Sequence, residues 1–237
     1  MRRAPLHVDL EGTLNTRDLG GWPLAGGNRT RAGRLWRSDA FTHATAADRD
    51  TLAERGLRTV VDLRTDAERA SAPSALADDP RFELVPVDLF AAVGAAIERG
   101  EVGGDPFDLR TRYRASFVFA RDGYREAFAR LADALAASPG PVAFHCSAGK
   151  DRTGLVAALL LRAAGVPDEA ILEDYVLTDA RIAPLRPRLL ADGIAQGFPA
   201  DGYARMLEAR AENLRDALAR VDDELVGFAA PAAAALR

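Results

Sequence analysis

Short apolar stretches of strand length alternate along the chain with longer ones of helical period. Val142, Ala143 and Phe144 come after the Ser138-Pro139-Gly140 turn and read as a short buried strand. Soon after, an unbroken apolar run over 155–164 stops at Gly165, the usual place for a left-handed helix end. Thr59-Val60-Val61-Asp62-Leu63 has the continuous apolar character of a buried parallel strand. Residues 82–87 predict a further strand, and Pro86 within it an edge position or a strand end. Helices fall between these strands. Thr45 and Thr65 each open a capping box, the first helix closed by Gly56 and the second by Pro73. Over 124–137, Phe128, Leu131 and Leu135 share one helical face. Pro167, Asp168 and Glu169 begin a helix ending near Thr178, and Pro184 and Pro187 break the next stretch into short pieces. From Asp201 onward, Leu207, Leu214, Leu218, Val221 and Leu225 recur at helical spacing and predict the longest helix of the chain. The alternation predicts an α/β fold: a central, mostly parallel sheet flanked by helices. No internal repeat or linker divides the chain, so residues 1–237 read as one domain.

Composition narrows the function classes. A net charge of −4 gives no basic field for nucleic acid. No apolar run approaches the roughly 18 residues of a membrane span. Residues 1–11 carry no apolar core of a secretory signal, so a cytoplasmic location is the default, with export lacking a visible signal left open. The oligomeric state is not legible. One cysteine excludes an internal disulfide, and three scattered histidines give no metal site; no cofactor is expected. Lys150 is the only lysine in a chain whose other basic residues are arginine.

The sole cysteine lies in His145-Cys146-Ser147-Ala148-Gly149-Lys150-Asp151-Arg152-Thr153-Gly154, a tight loop between the 141–144 strand and the 155–164 helix. Unpaired N–H groups and the helix dipole make such a loop an anion site, here built from residues 147–153: Ser147, Ala148, Gly149, Lys150, Asp151, Arg152 and Thr153. The same field lowers a thiol pKa from about 8.5 toward roughly 3.5–7.5, making Cys146 a candidate nucleophile. Arg152, six residues on, carries a planar fork that matches two phosphate oxygens. Thr153 places a hydroxyl beside the sulfur. Lys150 is expected to bring a mobile positive charge to the mouth, and His145 to hold the loop by bonding to backbone.

The stretch resembles the Cys-x5-Arg signature of the protein tyrosine phosphatase superfamily, and its Lys-Asp-Arg version resembles the bacterial tyrosine phosphatases related to secreted mycobacterial and Listeria lipid phosphatases. Two distant stretches are similar to the same family: Asn15-Thr16-Arg17-Asp18-Leu19-Gly20-Gly21, and Gly33-Arg34-Leu35-Trp36-Arg37-Ser38, which aligns with a strand. Arg17 and Asp18 are expected to form a buried ion pair pinning the N-terminal segment, or else to border the site. The resemblance implies a cysteine-dependent phosphatase fold and metal-independent hydrolysis of phosphomonoesters through a phosphocysteine. The expected substrate is a phosphotyrosine protein, with broad specificity. A phosphoinositide is the alternative substrate, and an inactive phosphate-binding module the alternative class. The general acid has three candidates: Asp62 and Asp151 rank together, then Asp88. Residues 89–122 break the regular pattern, with a helix near 91–97, a glycine-rich break over 100–106 and arginines mixed with aromatics over 109–119; they read as a lid-like insertion. Arg110, Arg112, Arg114 and Arg121 within it are weighed as contacts to an anionic substrate or as a solvated helix face.

Overall fold

The computed structural model describes residues 7–105, 107–195 and 197–237. Part of the 1–11 stretch read for a leader, and Pro106 at the end of the glycine-rich break, lie outside them. The strands are β1 (Arg17–Asp18), β2 (Leu35–Ser38), β3 (Thr59–Asp62), β4 (Glu83–Pro86) and β5 (Val142–His145). They form one sheet in the order β1-β2-β5-β3-β4, with β1 antiparallel to β2 and the other pairs parallel. β4 is an edge strand, as Pro86 requires, because its missing N–H faces no neighbour there.

The first helices are α1 (Ala46–Glu54), α2 (Asp66–Ser71), α3 (Ala91–Glu98), α4 (Leu109–Phe119) and α5 (Arg121–Ala137). After β5 come α6 (Asp151–Ala164), α7 (Asp168–Ile182), α8 (Arg186–Ala195), α9 (Ala200–Met206), α10 (Ala211–Leu218) and α11 (Asp223–Ala233). Both predicted capping boxes are formed in full, at Thr45 and Thr65. Gly165 closes α6 with φ +95°, the left-handed geometry predicted there.

Strand alternation sorts the core onto two faces. Leu35, Val61, Val142 and Phe144 point into a large core with α3 to α7, α10 and α11, while Trp36, Val60 and Ala143 meet Phe41, Leu52, Leu57 and Leu76 on the other side. With both faces covered, β2, β3 and β5 are buried along their whole length. The helix predicted from Asp201 is corrected: α9, α10 and α11 are three separate helices, and α5, at 17 residues, is longer than any of them. Two side chains impose the breaks. Asp179 accepts from the N–H of Ala209 at 2.8 Å, and Asp222 caps α11 by accepting from Leu225 N at 2.8 Å.

Candidate active site

The Cys146 loop joins the C-terminal end of β5 to the start of α6, at the sheet edge where ligands bind in open α/β folds. Its carbonyls are held from outside. Leu63 N donates to His145 O at 2.8 Å, Ala40 N to Ser147 O at 2.9 Å, and Arg37 Nη2 to Gly149 O at 2.8 Å. Asn15 Nδ2 reaches Gly149 O at 3.0 Å and Ala148 O at 3.3 Å. Among the described residues, the N–H groups of Ser147, Ala148 and Gly149 donate to no carbonyl or side chain, which leaves them for an anion. Gly149 has φ +66°, and a Cβ there would stand 2.4 Å from Ser38 O, so the turn lies flat on the end of β2 only because the residue is glycine.

The two distant family-like stretches turn out to be the loop's supports. Asp39 accepts from the N–H groups of Leu14 and Asn15 at 3.1 and 2.9 Å, which sets Asn15 against the loop. The expected Arg17–Asp18 pair is corrected. Arg17 and Arg37, both wholly buried, share Asp174 of α7 at 2.9 and 2.5 Å. Asp18 instead accepts from Gly20 N at 2.7 Å, Gly33 N at 2.5 Å and Trp36 Nε1 at 3.2 Å. Adjacent residues on a strand face opposite ways, so they cannot pair with each other.

Arg152 is aimed by Glu68. Its Nη1 and Nη2 donate to Oε2 and Oε1 of Glu68, both at 2.6 Å, and Nη1 also reaches Leu63 O at 3.3 Å. Ser147 Oγ donates to Glu68 Oε1 at 2.6 Å, and Phe90 lies 5.7 Å from the guanidinium carbon. Burial works against the Glu68 charge, but the Arg152 hydrogen bonds and charge overrule it and hold the carboxyl down to about 2. Burial likewise disfavours the Arg152 charge, and the Glu68 hydrogen bonds and the Cys146 charge prevail to raise its pKa. In the sequence, Glu68 shows only as part of a capping box. The missed signal is its place one short turn past a strand ending at the same edge as Cys146.

Three further placements differ from expectation. Asp62 is buried, 2% exposed, with both oxygens on Arg64 at 2.7–3.1 Å. Burial raises its pKa, yet the Arg64 hydrogen bonds win and leave it lowered, the opposite of a proton donor's need. Asp88 accepts from Ala91 N at 2.9 Å and serves the start of α3. Lys150 is no mobile charge at the mouth: it is 1% exposed, with Nζ 2.6 Å from Asp151 Oδ1 and 3.5 Å from Glu208 O. Asp151, with its carboxylate about one-third exposed, also takes the hydroxyl of Tyr113 on α4. The 89–122 segment therefore touches the loop through α4. Its Arg114 and Arg121 are paired with Asp216 and with Asp222 and Glu224, which commits their charges to the C-terminal helices.

Cys146 itself is buried, 3% exposed. His145 Nδ1 lies 2.8 Å from Cys146 O and donates to it, the backbone-holding contact expected of it. Thr153 Oγ1 is buried and has no hydrogen-bond partner among the described residues. No group of three His, Cys, Asp or Glu side chains among those residues is placed to hold a metal ion. No described helix is long and apolar enough to cross a membrane.

Comparison with known proteins gives the context. A profile of the tyrosine phosphatase family matches residues 8–234. A protein of Cupriavidus necator named as a putative tyrosine-protein phosphatase is 36% identical over 220 residues, covering 88% of this chain and 76% of its own. The triple specificity protein phosphatase PtpB of Mycobacterium tuberculosis is 32% identical over 252 residues, covering 97% of this chain and 87% of its own. Among solved structures, TpbA of P. aeruginosa in complex with phosphotyrosine aligns over 97% of this chain and 96% of its own, at 18% identity and a TM-score of 0.47. With its cysteine loop at the sheet edge and relatives that match it along nearly its whole length, the chain belongs to the tyrosine phosphatase family and is a cysteine-dependent phosphatase.

Proposed function

We propose that the chain hydrolyses phosphotyrosine in proteins, with Cys146 as nucleophile, Arg152 and the 147–153 amides as the phosphate cradle, and Asp151 as the acid and base. The observation that carries this reading is the two-point clamp of Glu68 on Arg152 beside a loop that holds the only thiol of the chain. The clamp fixes the plane of the guanidinium before substrate arrives, so transition-state charge meets a donor that needs no reorganisation. The thiolate attacks phosphorus in line, forming the S–P bond as the bond to the tyrosine oxygen breaks. Asp151 gives its proton to that oxygen. Water then attacks phosphorus, the S–P bond breaks back to thiolate, and the proton from water returns to Asp151. Loop amides and Arg152 balance the equatorial charge in both steps.

Asp151 is preferred over Asp62 because its carboxylate is about one-third exposed and its contact with Lys150 falls on one oxygen only, whereas Asp62 is buried with both oxygens closed by Arg64, which keeps its pKa lowered. The burial of Lys150 removes the feature that spoke for a phosphoinositide, a free cation at the mouth. The test is initial rates on p-nitrophenyl phosphate, a phosphotyrosine peptide and phosphoinositides in EDTA, for wild type and Cys146→Ser. Wild-type activity led by the peptide, and none in the variant, is the expected result. A lipid ranked first would overturn the substrate, and equal inactivity with retained phosphate binding would overturn the chemistry.

A further inference from the structure

Asp151 stands in the first turn of α6, where a partly exposed carboxylate ordinarily samples several rotamers. Here it does not have that freedom. Tyr113 donates its hydroxyl hydrogen to Asp151 Oδ1, and Lys150 Nζ donates to the same oxygen at 2.6 Å. Tyr175 Oη lies 2.6 Å from Tyr113 Oη. A phenol has one hydrogen, and that of Tyr113 is committed to Asp151, so Tyr175 donates to Tyr113. The chain of donors thus runs in one direction, from α7 through α4 to the loop. Both tyrosines are buried, with their rings edge to face at 6.4 Å, and the Tyr175 ring lies where a Cβ on Gly154 would be only 3.0 Å away. The Tyr175 ring is thus wedged against α6, and the Tyr113 ring is buried edge to face against it. Burial, and then the Asp151 charge, raise the Tyr113 pKa far above its ordinary value, which keeps its hydroxyl a donor.

Among the described residues, every hydrogen bond of Asp151 falls on Oδ1. An oxygen that already accepts two donors is a poor seat for a proton, whereas Oδ2 accepts from none of the described residues and can carry one. We propose that Tyr113, oriented by Tyr175, is a positioning residue for the reaction: it saturates Oδ1 of Asp151 and so makes Oδ2 the single atom that gives the proton to the leaving oxygen and takes one back from water. The substrate meets only Asp151; the tyrosines act through it. The arrangement also ties α4 of the insertion to the chemistry, so that displacing α4 would remove the acid's alignment and leave the phosphate cradle in place. This inference rests on the reading of Asp151 as the acid and base.

The experiment compares kcat and KM for an activated aryl phosphate and an alkyl phosphate in wild type, Tyr113→Phe, Asp151→Asn and the double variant. A lost acid hurts the poor leaving group most. Asp151→Asn is expected to lower kcat on the alkyl ester by about 100-fold or more and on the aryl ester far less. Tyr113→Phe is expected to show the same selectivity at about tenfold, the size of one hydrogen bond to a charged group, with KM unchanged. In the Asp151→Asn background it is expected to add nothing, since the two act as one unit. Tyr113→Phe losses equal on both esters, or fully additive with Asp151→Asn, would overturn the positioning role while leaving Asp151 as the acid. Equal losses from Asp151→Asn on both esters would overturn the acid assignment itself, and the inference with it. Should Tyr113→Phe fold poorly because Tyr175 is left with an unpaired hydroxyl, Tyr113→Phe/Tyr175→Phe removes that defect and carries the same expectation.

Discussion

Glu68 does three things with one carboxylate: it closes the capping box of α2, receives Ser147 and fixes both ends of the Arg152 fork. Glu68→Gln keeps the shape and removes the charge. Its kcat/KM is expected to fall about 10- to 100-fold, in line with losing charge-assisted hydrogen bonds, with phosphate inhibition weakened in parallel. The sign of the pKa shift sets the pH dependence. The folded-state pKa of Glu68 is depressed from 4.5 to about 2, so the stability it contributes is fully present above about 4.5 and is lost as pH falls toward 2. Denaturant midpoints of wild type are therefore expected to drop across that window, and those of Glu68→Gln to drop less. A variant as acid-sensitive as wild type would contradict the pairing.

At the scale of the element, the loop depends on one backbone conformation. Gly149→Ala adds a methyl group 2.4 Å from Ser38 O at φ +66°. It is expected to abolish turnover while leaving the far-ultraviolet dichroism of the sheet and helices intact, because the strain falls on a few loop residues. Much of this level is legible in the residues. The apolar strands, both capping boxes and the glycine stop of α6 are local signals, and each falls where its chemistry demands. Other features are decided by partners remote in sequence. The stripe from Leu207 to Leu225 keeps helical period across two breaks that contain neither Gly nor Pro, and only Asp179 from α7 and the cap at Asp222 divide it. The acid candidates are hard to rank for a similar reason. Asp62 and Asp151 both stand at the correct sheet edge, and they are separated by Arg64 closing over the one and Tyr113 arriving at the other from α4. Lys150 looks free in the sequence because no local residue announces that the segment around Glu208 covers it.

Across the whole molecule, the site is buttressed by a buried cluster with two arginines and one aspartate. Burial alone would raise the Asp174 pKa; Arg17 and Arg37 overrule it and lower it. Asp174→Asn strands two guanidinium groups without their counter-charge, a change expected to cost about 3–5 kcal/mol. The melting temperature is then expected to fall by roughly 6–20 °C for a domain of this size, read by calorimetry. A fall of only a degree or two would show that water replaces the carboxylate there.

The cluster also has a consequence for the order in which the protein comes into being. Asn15 and Arg17 reach the loop and α7 from the start of the chain, while Asp174 and Thr178 close the arrangement from beyond it. A ribosome delivers Cys146 before it delivers the aspartate that neutralises Arg17 and Arg37. For that interval, the thiol, its histidine and its arginine all exist, but the frame that shapes them does not. Hydrolysis is therefore expected to begin only once α7 has docked, so a chain cut between α6 and α7 is expected to turn over no aryl phosphate.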